Sequence, residues 1–209
     1  MKLARLSGAA VCMLIAMVSI ANAEPATFRI DPNHSQVGFG IRHFFSRVSG
    51  RFNKFSGSIV YDDKNVTGSS VEISIQTASI FTNNERRDGD LRSANFFLAD
   101  SFPAITFKST KVTPGEGGRF KVEGDLAMHG VTKPVTLDVA FLGMGAVGAM
   151  GTRAGFEASA ALDRKEYGIV WNQVLDQGGT MLGDEVQVNI DIEAVQMDGQ
   201  GHGAAPMKK

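Results

Sequence analysis

The chain has 209 residues, with 21 lysines and arginines against 22 aspartates and glutamates, and 43% of its residues are hydrophobic. A formal charge of −1 leaves no basic surplus to mark the whole chain for nucleic acid or an anionic membrane. The single cysteine, Cys12, lies in the first apolar stretch, so everything after it lacks disulfides, thiolate nucleophiles and cysteine-ligated metals.

In chain order, the first element is a leader. MKLARLSGAAVCMLIAMVSIANA has Lys2 and Arg5, an apolar run from about Leu6 to Ile20, and then Ala21-Asn22-Ala23. This is the pattern of a secretory signal peptide, residues 1–23, cleaved before Glu24. The expected destination is the periplasm or the exterior. The remaining 24–209 shows no second apolar span and is long enough to bury a core without covalent staples.

Alternation with a period of two then recurs. Val37, Phe39 and Ile41 open it, and Arg51–Asp62 continues it with a bend expected at Gly57. Val71 to Thr77, Ile105 and Phe107, Phe120 to Met128, Val135 to Phe141, Ala154 to Leu162 and Val186 to Ala194 follow. Each reads as a half-buried strand with one apolar face. Turns are expected at 62–65, 114–118 and 129–134. About eight strands with hairpin-length connections predict an antiparallel sandwich or a closed barrel.

Residues 83–98 resist the strand pattern. Thr82-Asn83-Asn84-Glu85 reads as a capping box, and Arg86/Asp90 and Asp88/Arg92 have the four-residue spacing of helix-surface ion pairs. The Gly-rich stretch 143–155 reads as a flexible hairpin loop, or as a pliable apolar rim at a cavity mouth carrying Met144, Val147 and Met150. The tail, 198–209, lacks apolar periodicity and is expected to be disordered.

The usual catalytic patterns do not occur. There is no HExxH, no close histidine pair, no G-x-S-x-G and no phosphate-binding P-loop. GMGAVG has the spelling of a dinucleotide fingerprint without a following helix or acidic residue. His34, His43 and His129 are expected to make structural or rim hydrogen bonds, so no metal is expected.

Four ordered signatures resemble the YceI-like family. They are Asp31, His34-Ser35, Val37, Phe39 and His43 with Gly50, Phe52, Phe55 and Gly57; then Arg87-Asp88, Leu91-Arg92-Ser93 and Asn95-Phe96-Phe97 with Pro103 and Phe107; then Gly124-Asp125-Leu126 through His129-Gly130 to Val135; and finally 164–169 with 182–186. The resemblance spans about 24–197. It implies an all-β fold with one or two short helices, an extended lipocalin-like antiparallel β-barrel of about eight strands. It further implies an interior tunnel for a long isoprenoid, of the polyprenyl phosphate or prenyl quinone (ubiquinone) type, with links to stress response, and no required cofactor.

A small barrel fills its interior with side chains or with a ligand. Small residues (Gly38, Gly40, Gly57, Ala154, Ala158 and Ala160) leave room for a ligand. The expected apolar lining is Phe39, Ile41, Ile73, Ile75, Phe107, Phe120, Val122, Leu126, Leu137, Val139, Phe141, Phe156 and Ile190. Arg42, His43, Arg87, Asp88, Arg92 and Trp171 are the expected head-group partners, arginine being suited to phosphate. The open rim of such a barrel also offers a surface on which two copies can pair. The alternative is an enzyme or redox accessory using His129 or Tyr167 on a quinone or prenyl substrate.

Overall fold

The computed structural model describes residues 25–176 and 178–197. The expected leader and tail lie outside them. Eleven strands and one helix follow in order: β1 (Ala26–Ile30), β2 (Gln36–His43), β3 (Ser46–Phe52), β4 (Phe55–Tyr61), β5 (Ser70–Gln76), β6 (Ile80–Phe81), α1 (Glu85–Arg92), β7 (Ala104–Pro114), β8 (Arg119–Met128), β9 (Val131–Ala146), β10 (Thr152–Asp163) and β11 (Leu182–Gln196). No described helix is long and apolar enough to cross a membrane.

Eleven strands make eight staves, because three staves are each broken once. β1 and β2 lie end to end along β11, pairing with its residues 194–196 and 182–191. β4 and β3 continue beside them, and β5 and β6 beside those. All pairings are antiparallel, and the β1–β11 pairing closes the barrel. The expected eight-stranded barrel is therefore the observed one, and the sandwich is excluded.

The breaks have local causes. Between β1 and β2, Pro32 has no N–H to give to a ladder. Ser35 substitutes for the missing backbone pairing: its hydroxyl donates to the Glu193 carbonyl (3.1 Å) and accepts from the Glu193 N–H (3.0 Å). The second break falls at Asn53-Lys54 rather than at Gly57. It is tied to the third by Asn53 N–H to the Ser79 carbonyl (3.0 Å) and Lys54 N–H to Ser79 Oγ (3.0 Å). Gly57 serves another purpose. A Cβ there would lie 2.4 Å from the Glu72 carbonyl oxygen, so glycine lets β4 approach β5 closely.

The third break opens the wall. β5 pairs with β7 as far as Gln76, and β6 then follows β3 away from β7. Helix α1 and the turns of 93–103 occupy the gap. The 129–134 turn is shorter than expected: His129 and Gly130 alone make it, both with positive φ, and Pro134 already pairs with Asp125 in β9.

Two apolar clusters share the interior. At one end Tyr61 stacks on Phe141 (4.8 Å between centroids), meets Phe156 edge-on (5.7 Å) and tilts against Phe120 (6.4 Å), with Phe28, Ala154 and Ala194 fully enclosed around them. Each such aromatic contact adds about 0.5–1.5 kcal/mol beyond its area. This is a solid plug. The Gly-rich hairpin follows from it, with Met144 opposite Ala154 and Phe141 opposite Phe156. That hairpin is mostly paired strand and sits at the plugged end, so it is not a rim of the main cavity.

Candidate ligand cavity

The other half of the barrel is hollow. A cavity of about 860 Å³ is walled by inward-facing residues of β2, β3, β5, β7–β11 and α1. Exposed Asn84, Arg86, Asp90 and Asn95 border it, so its mouth opens beside α1. Eight of the expected lining residues face it: Phe39, Ile41, Ile73, Ile75, Phe107, Leu126, Leu137 and Ile190. Five do not. Phe120, Val139, Phe141 and Phe156 belong to the plug or pack on it, and Val122 is buried in the core between the two. They have the correct strand face but lie deeper along it.

Of the expected polar partners, His43, Arg87 and Trp171 border the cavity and Arg42, Asp88 and Arg92 do not. Arg42 points outward from β2 and is exposed. Arg92 donates from Nε to the Ala78 carbonyl (3.0 Å) and from Nη2 to the Ile80 carbonyl (3.4 Å), pinning α1 to the broken stave. Asp88 is only 3% exposed. Its Oδ1 accepts from the Thr82 N–H (2.8 Å) and the Thr82 hydroxyl (2.5 Å). The same hydroxyl accepts from Arg87 Nε (2.7 Å), and Arg87 Nη2 donates to the Thr82 carbonyl (2.8 Å). Thr82 is thus a clasp holding both charged residues.

The helix is capped differently from the expected box. Asn84 is the N-cap, its side chain accepting from the Arg87 N–H (3.0 Å). Neither four-residue ion pair forms. A surface pair contributes about 0.3–0.5 kcal/mol, whereas a hydrogen bond to a charged group contributes about 1.5–3, so Asp88 turns inward. Asp90 instead accepts from Asn95 Nδ2 (3.0 Å).

Arg164 was missed as a cavity residue. It is 4% exposed and borders the cavity. It donates to the carbonyls of Gly183 (3.0 Å), Ile169 (2.7 Å) and Trp171 (2.8 Å), with the Asp184 carboxylate 3.4 Å away. Burial lowers its pKa and Asp184 opposes the change. It fastens Ile169 and Trp171 to the wall, and Trp171 meets Phe96 across the mouth (5.3 Å). The signature around 164–169 marked this segment, but nothing in its spelling shows that its arginine is buried.

His129 and Tyr167 lie off the cavity. His129 Nδ1 donates to the Tyr167 carbonyl (2.8 Å) and its ring meets Phe102 edge-on (4.9 Å). His129 thus ties the 129–130 turn to the 164–168 turn, and Tyr167 is a buried core residue.

The first break holds a separate cluster. Asp31, His34 and Glu193 bring three donor atoms within 4.8 Å of one another, but Arg153 donates to both carboxylates and already supplies a cation. The His34 ring and then the Arg153 guanidinium hold the Asp31 carboxyl down at about 2, against an ordinary 3.8. A depressed carboxyl stabilises the fold above its unfolded pKa, and that contribution is lost as pH falls from about 4 towards 2. Arg153→Met is therefore expected to be less stable than the parent at neutral pH. The two denaturant-unfolding free energies should converge as pH falls from about 4 to 2. Parallel curves across that window would show that Arg153 does not act through Asp31.

These features define a closed antiparallel barrel that keeps half its interior as an apolar chamber with a polar mouth. The chain belongs to the YceI-like family, whose domain pattern matches residues 28–194. A UPF0312 protein of Vibrio cholerae is 39% identical over 187 residues, covering 88% of this chain and 95% of that one. BcnA of Burkholderia cenocepacia shares the fold with a TM-score of 0.71 at 23% identity, over 79% of this chain and 99% of that one. A polyisoprenoid binding domain from Saccharophagus degradans shares it with a TM-score of 0.59 at 16% identity, over 83% and 100%.

Proposed function

We propose that this chain is an exported, non-catalytic lipid-binding protein that holds a long isoprenoid in the chamber for transport, storage or stress protection. The observation that carries this is the 860 Å³ apolar chamber with its polar mouth. Protein interiors are close-packed, and a small barrel with no occupant fills its interior with side chains. Here the plug does so at one end and nothing does so at the other. The fold shared with a domain named for polyisoprenoid binding supports the same ligand class. Export rests on the leader pattern alone. His129 and Tyr167, the two residues an enzyme reading would use, lie off the cavity.

The mouth suits a polar head. Arg86 and Arg87 border it, and Arg87 Nη1 is left over after Nε and Nη2 have bound Thr82. Asn84, Asn95, His43 and Trp171 complete the surround.

The plug sets a length limit. At about 30 Å³ per water-sized group, the chamber holds roughly 30 heavy atoms, or about six isoprene units. Affinity for prenyl alcohols is expected to rise with chain length to about six units and then level off, read by displacement of a fluorescent lipid. The native ligand is identified by mass spectrometry of an organic extract of the purified protein. If no long-chain lipid co-purifies and none binds on titration, the proposed function is wrong.

A further inference from the structure

The rim of the chamber carries apolar side chains that the fold does not use. The hairpin between β2 and β3 turns on Phe44 and Phe45 alone, with His43 paired to Ser46. Phe44 has φ 49, the left-handed region where a two-residue turn favours glycine or asparagine and a bulky residue is strained. Phe45 is 100% exposed and Phe44 39%. Phe44 meets the His43 ring edge-on (4.6 Å), but Phe45, at a turn that prefers small residues, has no packing at all and gains nothing for the isolated barrel.

The neighbouring loop adds to the patch. Phe44 N–H donates to the Met181 carbonyl (2.9 Å), Met181 N–H donates to the Gln173 carbonyl (2.9 Å), and Val174 bridges Thr180. Val174, 76% exposed, therefore lies alongside the hairpin. Val170, 63% exposed, sits between the cavity residues Ile169 and Trp171.

The hairpin itself is basic. Although the whole chain is near neutral, the hairpin Arg42–Arg51 holds three arginines and no acidic residue. Arg51 is engaged with Asn53 and the Phe81 ring. Arg42 and Arg47 face each other across the strands, and neither forms an ion pair among the described residues. The adjoining segment 169–185 adds Asp176, Asp184 and Glu185; Asp184 is taken by Arg164 and Lys165, and Glu185 accepts from Gln187.

We propose that this rim docks on an anionic lipid bilayer, with Phe45 entering the acyl boundary and Arg42 and Arg47 meeting lipid phosphates. Aromatic residues flanked by arginines suit that interface, where one layer is apolar and the next carries negative charge. A narrow projecting tip inserts into a fluid phase more readily than it covers the roughly 800 Å² per partner of a stable protein interface. Docking would set the chamber mouth against the membrane, the phase from which a long apolar ligand must enter. This placement rests on reading the chamber as a lipid site.

The test is co-sedimentation of residues 24–209 with phosphatidylcholine vesicles, with and without phosphatidylglycerol. The parent is expected to partition onto the anionic vesicles. Phe45→Ser should weaken that about tenfold or more, from the transfer energy of an exposed phenylalanine. Arg42→Gln and Arg47→Gln should each weaken it roughly fivefold, an effect that high salt reproduces. Uptake of farnesol from solution by Phe45→Ser should equal the parent's, since Phe45 lines no part of the chamber. Absence of parental binding to anionic vesicles, or unchanged binding by Phe45→Ser, overturns docking. So does a parental dimer that Phe45→Ser dissociates, which makes the rim a self-association surface. Failure of the parent to take up farnesol while still binding vesicles overturns the chamber reading instead.

Discussion

Replacing Ala160 with phenylalanine is expected to weaken lipid binding roughly a hundredfold and leave the barrel folded. Ala160 sits on β10, opposite Val188 of β11, and both face the chamber. Large side chains forced into a packed core cost about 1–3 kcal/mol, because neighbours must move. Here the new ring enters open volume beside other apolar groups. Burying it contributes about 1.5–3 kcal/mol, so the melting temperature should hold or rise. The ligand loses what the ring takes. Excluding about four methylenes costs the complex about 3 kcal/mol, roughly a hundredfold in affinity. Ala161→Phe is the control, since Ala161 is the exposed neighbour on the opposite face. A titration in which Ala160→Phe binds like the parent would place the ligand outside the chamber, whatever the melting curves show.

The same strand shows what a linear reading delivers. Alternation assigned Phe156, Ala158, Ala160 and Leu162 to one face, and they do point inward. It could not assign depth. Phe156 is in the plug and Ala160 in the chamber, four residues apart on the same face. The boundary depends on which rings from β8, β9 and β10 converge on Tyr61 of β4, and those meetings are between residues distant in sequence. β1 escaped notice because Ala26–Ile30 is short, and the breaks at Asn53 and at 77–79 depend on one hydroxyl, Ser79, bridging two staves. The chemistry of α1 was legible as charge and illegible as geometry. Helix spacing favoured ion pairs along the surface. The partner that captured Asp88 was Thr82, outside the helix, and capture required burial that only the barrel supplies. Two family signatures become intelligible as joints: Asp31 with His34-Ser35 bridges the first break, and Arg87-Asp88 closes on Thr82.

That last joint predicts the largest stability effect. Asp88→Ala leaves the Thr82 N–H and hydroxyl without their acceptor in a site where both residues are buried. Two hydrogen bonds to a charged acceptor contribute about 1.5–3 kcal/mol each, and an unsatisfied buried donor adds its own desolvation cost. A loss of about 3–5 kcal/mol follows, or roughly 6–20 °C in melting temperature for a domain of this size. Asp88→Asn retains an acceptor oxygen of the same shape without the charge and should fall between the two. Asp90→Ala, on the exposed side of the same helix, should stay within about 0.5 kcal/mol of the parent. Function should move with the clasp. Asn84, Arg86, Arg87, Asp90 and Leu91 bring α1 to the chamber mouth, so a helix loosened from Thr82 no longer closes it. Asp88→Ala should then release a bound prenyl lipid faster while its uptake changes less, because affinity differences among variants of one site arise mostly in dissociation. If the alanine variant melts and releases lipid like the parent, Thr82 is not what holds the helix. The salt-independent anchors of Arg92 on the Ala78 and Ile80 carbonyls would then be the attachment, and Arg92→Ala would carry the loss instead.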